Sequence, residues 1–267
     1  LSQHSSLKSG MKMSEDRAQI YTMPAMLGWF ARTFPGSRKT LASYGQLRTS
    51  QWCDLDGVLF PFDERFMDRK RFAAIACGAI EEDEIAIAAK VINSDDIVVE
   101  FGAGLGIAAA RVHRLCAPRK HICFEANPAL KTYSKALFKA NHLEIKFETI
   151  GLGNGDALDF FALDDYILSS FEQPQNRHDY QKISIPTITL DEVIARHRPT
   201  AIFYDIEGAE LAHFSSEHFD GIRKIIIELH PDSYGDSGLN SFIERMEQAG
   251  FRLKIRQKET YCFLKDS

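Results

Sequence analysis

Glu100-Phe101-Gly102-Ala103-Gly104-Leu105-Gly106 sets an acid and three alternating glycines directly behind the apolar run Ile97-Val98-Val99. A strand that ends in glycines and opens a helix lets its backbone approach a ligand and turns helix N–H groups toward it. Dinucleotide sites use G-x-G-x-x-G, whose third glycine brings a pyrophosphate against the helix. Here that third position is Ile107. The G-x-G-x-G order suits a ligand with an adenosine and an amino-acid tail but no phosphates. Its tail would meet backbone at Gly102, Ala103 and Gly104, and its positive end would face Glu100. Glu125 ends the next apolar run, His121-Ile122-Cys123-Phe124. An acid at that spacing can accept both hydroxyls of a ribose. Two later runs end in Asp205 and Glu207, and in Glu228 and His230. In a doubly wound sheet the first and fourth strands flank the crevice, so these four residues are expected at one rim.

The elements that must carry these residues follow from periodicity. Apolar runs near 96–100, 121–125, 145–150, 201–205 and 224–229 alternate with helical patterns near 107–116, 128–140, 190–196 and 208–218. Such alternation means an α/β fold with a doubly wound, mostly parallel sheet. The segment 241–249 reads as a helix stopped by Gly250, and 251–255 with 261–264 as a closing antiparallel hairpin, giving seven strands. Extended segments at 156–166 and 182–186 interrupt the rhythm around a polar loop, 169–180. Upstream, 66–76 and 82–91 read as helices, 18–34 as an amphipathic helix, and 52–62 as a hairpin turning at Asp56-Gly57. The hairpin and the 169–180 loop are expected to form a lid on the acceptor pocket. The chain divides into an N-terminal tail and accessory region, 1–75, and a cofactor-binding domain, 76–267.

Apolar residues make up 45% of the 267 and the net charge is −5, so no basic field recruits nucleic acid. The five cysteines are odd in number and include no C-x-x-C pair. That usage implies reduced thiols in a cytoplasmic protein and no zinc site, and no metal ligand set is assigned. No apolar run is long enough for a membrane span. The apolar face of 18–34 is compatible with a homodimer.

Several motifs together resemble the FkbM family of class I S-adenosylmethionine-dependent methyltransferases, over residues 75–265. They are Gly78-Ala79-Ile80-Glu81, the Glu100–Gly106 turn, Phe124-Glu125-Ala126-Asn127-Pro128, Thr189-Leu190-Asp191, Asp205-Ile206-Glu207-Gly208-Ala209-Glu210, and Ile226-Ile227-Glu228-Leu229-His230. The resemblance implies S-adenosyl-L-methionine as cofactor and O-methylation of a small hydroxyl acceptor such as a sugar or polyketide. It implies that Glu81 faces the cofactor's amino group and that Ala126 and Asn127 belong to its binding site. A hydroxyl needs a base as it attacks. His230 is the candidate at neutral pH, with Asp205 or Glu207 as alternatives. The chain departs from the family pattern at Glu100 (usually Asp), Gly104 (usually Asn) and Phe203 (often Lys).

Other readings stand beside this one. Asp54-Leu55-Asp56-Gly57 imitates a phosphatase nucleophile loop, but the residues before it are too polar for the required buried strand. A nicotinamide-dependent oxidoreductase would share the fold and lacks its third glycine here. A non-catalytic scaffold with this fold is the non-enzyme alternative.

Overall fold

The computed structural model describes residues 20–22, 50–76, 78, 80–163, 169, 171, 180–206, 211 and 219–266. Strand β1 (Ile20–Thr22) lies parallel to β2 (Trp52–Leu55), which turns at Asp56-Gly57 into antiparallel β3 (Val58–Pro61). Helices α1 (Arg69–Ala76) and α2 (Glu82–Val91) follow. The regular part then runs β4 (Ile97–Phe101), α3 (Ile107–Cys116), β5 (Lys120–Phe124), α4 (Lys131–Ala140) and β6 (Ile145–Glu148). Short β7 (Gly151–Leu152), β8 (Leu158–Leu163), β9 (Tyr180–Ile185) and β10 (Thr187–Ile188) come next. The chain finishes with α5 (Leu190–His197), β11 (Ala201–Tyr204), β12 (Lys224–Glu228), α6 (Pro231–Gln248), β13 (Phe251–Gln257) and β14 (Thr260–Lys265).

Seven strands form one sheet in the order β13-β14-β12-β11-β4-β5-β6. The five from β12 to β6 are parallel, and the β13–β14 hairpin closes the edge antiparallel. Every residue of β4 and of β11 is buried, as parallel strands covered on both faces require. Period-two alternation sorts them. Val99, Phe101, Ile202 and Tyr204 share a core with α5 and α6 residues such as Val193 and Phe242. Val98 and Phe203 pack on the other face against Ile85 and Ala88 of α2 and Ala108 of α3. Phe203, where the family often has lysine, is therefore a core side chain. The strand order reverses between β4 and β11, which opens a crevice beyond their C-terminal ends.

Polar groups close the opposite end. Asp96 is fully buried and accepts from Lys224 Nζ (2.5 Å), Thr200 Oγ1 (2.7 Å) and the Asn93 N–H (2.9 Å), tying together the starts of β4, β11 and β12. Helix α5 begins on a capping box: the Glu192 N–H donates to Thr189 Oγ1 (3.1 Å) and the Thr189 N–H to Glu192 Oε2 (3.0 Å). The Thr189-Leu190-Asp191 motif thus has a local folding role.

Two expectations change. Ile20–Thr22 is a strand where a helix over 18–34 was expected, in keeping with the β preference of Ile, Tyr and Thr. The rest of 18–34, and all but Leu211 of the helix expected at 208–218, lie outside the described residues. Helix α6 starts at Pro231 and runs across a non-helical Gly235, so it begins ten residues before Ser241, the expected start. The segments 156–166 and 182–186 do become strands, paired antiparallel as β8–β9 outside the main sheet. Among the described residues no helix is long and apolar enough to cross a membrane.

Candidate active site

The turn after β4 is fixed by backbone crowding. Register pairs Phe101 with Tyr204, and the Asp205 N–H donates to the Phe101 carbonyl (3.1 Å). Gly102 has φ +77°, and a Cβ there would fall 1.6 Å from the Asp205 carbonyl oxygen. The sheet's own neighbouring strand, rather than a ligand, demands this glycine. Gly106, also at φ +77°, lets the Phe138 ring of α4 pack against the start of α3, 2.7 Å from where a Cβ would be. The N–H groups of Gly102 and Ala103 both donate to the Phe124 carbonyl (3.0 and 3.3 Å).

Glu125 sits where β5 ends, and both its oxygens are held by backbone. The Gly104 N–H donates to Oε2 (2.8 Å) and the Asn127 N–H to Oε1 (2.7 Å). Burial pushes its carboxyl above the usual range, partly offset by these donors. A carboxylate has about four acceptor sites, so this clamp leaves capacity for a diol while fixing the direction it faces. Asn127 turns its side chain to accept the Ala129 N–H (3.1 Å) and caps the short turn before α4.

A cavity of about 360 Å3 opens over this turn, within the ~300–1,000 Å3 usual for small-molecule sites. Gly102, Gly104, Glu125 and Ala126 form its floor; Glu81, Glu84, Asp205 and Glu228 give it carboxylates. Ile75, Ile80, Phe160 and Phe171 supply apolar wall, and Arg71 of α1 also borders it. Glu81 precedes α2 at φ 56°, a left-handed conformation that costs a non-glycine residue ~1–2 kcal/mol. Its carboxyl is pushed up to about 7, first by burial and then by Glu100, Glu84 and Glu228, with Arg111 pulling the other way.

The structure thus gathers Glu81, Gly102, Gly104, Glu125, Ala126 and Asp205 on one cavity. It puts four other expected site residues elsewhere. Ala103 is buried among apolar side chains of α1 and α4. Asn127 is occupied as a cap. Glu100 turns into the core, where its Oε2 lies 3.0 Å from His121 Nε2 with both side chains buried. His230 stands at the N-terminal boundary of α6 and does not line the cavity. Glu207 lies outside the described residues. Cys123 completes a group with Glu100 and His121 whose ligand atoms lie within 4.8 Å, but burial pushes its thiol well above the usual range, which opposes a thiolate ligand.

Arg71, Phe160 and Phe171 are cavity residues that carry no sequence motif. The lid expected from residues 52–62 is absent from the lining, because that hairpin docks onto α3 and α4 instead: Arg111 Nη2 reaches Asp56 (2.5 Å) and Tyr133 OH donates to the Pro61 carbonyl (2.8 Å). Of the loop 169–180, Ser169 and Phe171 do line it. Asp54 and Asp56 lie at an antiparallel turn, where the Gly57 N–H donates to Asp54 (3.0 Å). Both sit on the small three-stranded β1-β2-β3 sheet, not at the C-terminal end of a strand of the main parallel sheet, where a phosphatase nucleophile would stand.

The Methyltransferase FkbM domain family matches residues 100–253 of the chain. No curated protein matches it. Among solved structures it is similar to methyltransferase FkbM from Methylobacillus flagellatus KT, at 14% identity and a TM-score of 0.45, over 89% of this chain and 60% of that one. It is similar to a methyltransferase from Pyrococcus furiosus at 13% identity and a TM-score of 0.45, over 80% and 91% of the two chains. A third is M. jannaschii TYW2, solved in complex with AdoMet, at 14% identity and a TM-score of 0.42, over 83% and 85%.

Proposed function

The chain belongs to the FkbM methyltransferase family, and from that membership we propose that it methylates a hydroxyl oxygen of a small acceptor, using S-adenosylmethionine held in the cavity over Gly102–Gly104. The observation that carries this reading is Glu125. Its carboxylate is aimed by the Gly104 and Asn127 N–H groups at the floor of a cavity otherwise rich in carboxylates. Those residues fit the group in sign and chemistry: one clamped acid for a ribose diol, and several more for a ligand of net positive charge.

When bound, S-adenosylmethionine supplies an electrophilic methyl carbon on a positively charged sulfur. The protein's part is to bind, align and take a proton. Glu125 would hold the ribose diol of that cofactor at the turn after β4. Glu81 receives the tail's ammonium, favoured by its own ionised form. Ile75, Ile80, Phe160 and Phe171 keep water from the acceptor oxygen. Holding an acceptor hydroxyl beside that methyl carbon would lower the barrier by up to ~7–11 kcal/mol. Asp205 borders the cavity and takes the hydroxyl proton as the new bond forms; His230, outside the lining, does not.

Calorimetric titration of S-adenosylmethionine tests the binding half. The wild type should bind at micromolar concentrations, and Glu125→Ala should bind at least about 30-fold more weakly, the loss of two hydrogen bonds to a charged group. A panel of hydroxylated sugars and polyketides, scored for methyl transfer by wild type, Asp205→Asn and His230→Ala, tests the chemistry. Loss of at least about 100-fold in Asp205→Asn with intact cofactor affinity, and little change in His230→Ala, is expected. Turnover by Asp205→Asn at the wild-type rate overturns that base.

A further inference from the structure

We propose that Arg71 is the carboxylate-binding residue of the cofactor site, holding the acid group of the amino-acid tail on a different wall from the acids that receive its ammonium. This rests on the cofactor reading above and deepens it.

The charges around the cavity are unevenly divided. Among the described lining residues Arg71 is the one cation, set against Glu81, Glu84, Glu125, Asp205 and Glu228. The acids concentrate on the α2 and β12 side. Glu81, Glu84 and Glu228 also line an adjoining basin with Glu82, Asp83 and Glu259, whose one cation, Lys258, is paired with Asp83, and Arg71 does not border it. Arg71 stands on α1 one helical turn before Ile75, so both point to the cavity from one face. Ile75 in turn shares a buried cluster with Ala103, Leu105 and Ile107. Helix α1 thus shares its core with the turn that leads into α3, and both border the cavity.

That wall also suits an anion in its backbone. Leu105 and Ile107 border the cavity where α3 begins. The first turn of α3 contains no acid, and Gly106 offers no side-chain cap. A helix start is positive by roughly half a charge. With the ribose fixed at Glu125, a tail carrying both a carboxylate and an ammonium matches both walls at once. A hydroxyl acceptor needs neither. Arginine rather than lysine suits this task because its planar fork meets a carboxylate with two parallel bonds.

The test compares two ligands on three proteins. S-adenosylmethionine and its decarboxylated analogue share the adenosine, sulfonium and amine, and differ in the carboxylate alone. Their dissociation constants are measured by calorimetry on wild type, Arg71→Ala and Arg71→Lys. The wild type should prefer the carboxylate-bearing ligand by about tenfold or more, the scale of a charge-assisted hydrogen bond. Arg71→Ala should lose that preference while its affinity for the analogue changes less than about twofold, and Arg71→Lys should keep part of it. A preference that survives in Arg71→Ala, or a wild type without one, overturns the assignment. A wild type that binds neither ligand overturns the cofactor reading itself. If Arg71→Ala does not fold, Arg71→Gln gives the same comparison with the side-chain bulk retained.

Discussion

Glu81 combines a left-handed backbone, a place on the cavity wall and three neighbouring carboxylates. Strain and repulsion at one residue are tolerated where a ligand relieves them. Its acid dissociation lies near 7 in the folded chain against an ordinary 4.5, so the folded state binds the extra proton between those values. Stability must therefore fall as pH rises from about 4.5 to about 7. Glu81→Gln should melt higher than wild type at pH 8, and the difference should vanish near pH 4.5. A ligand with net positive charge favours the ionised form. Affinity for S-adenosylmethionine should rise about tenfold from pH 6 to pH 8, with proton release seen as buffer-dependent calorimetric heats. In Glu81→Gln that slope should flatten. Gly102 makes the second case at this scale. Gly102→Ala adds left-handed strain to a Cβ in the Asp205 carbonyl, and should cost at least about 3 kcal/mol in denaturant unfolding.

Between elements, the β2–β3 hairpin is locked to α4 by one amide. The Leu59 N–H donates to Asn141 Oδ1 (2.7 Å), and Asn141 Nδ2 donates to the carbonyls of Leu59 (2.6 Å) and Leu137 (2.8 Å). Asn141 is 3% exposed, so Asn141→Ala strands these groups away from water and should cost about 2–4 kcal/mol in denaturant unfolding. This docking was not legible in the sequence. Spacing gave the hairpin and its Asp56-Gly57 turn, but nothing local says that residue 141 bridges to residue 59. The Glu100–His121 pair was hidden for a related reason. Parallel register sets Glu100 beside Cys123 and Val98 beside His121, so the contact depends on strand stagger and on which face each side chain takes. Helix α6 was read short because Gly235, Ser237 and Gly238 weaken any helical pattern before Ser241. By contrast, the run from β4 through α4 was plain, since apolar strands and glycine turns there obey one period after another.

Across the whole molecule, binding and stability are placed at opposite ends of the sheet. The cavity lies beyond the C-terminal ends of β4 and β11, and the Asp96 knot lies before their starts. Burial alone would raise the Asp96 carboxyl; Lys224, with the Asn93 N–H and Thr200, holds it below the usual range instead. Its contribution is present above the ordinary carboxylate range and lost as pH falls through the lowered value. Asp96→Ala should cost about 3–5 kcal/mol by leaving the Lys224 ammonium without its partner. Cofactor affinity measured well below the melting temperature should stay within about twofold of wild type. The fold class was readable because the strand–helix alternation repeats along the whole core, whereas the cavity's walls draw on α1 and the β8–β9 hairpin, outside that rhythm. Burial of the thiols has a practical corollary. Cys53, Cys123 and Cys262 show no exposed surface, so an alkylating reagent can reach them only when the core opens. Their labelling rate is a built-in clock for global opening, and adding cofactor should slow it in proportion to occupancy.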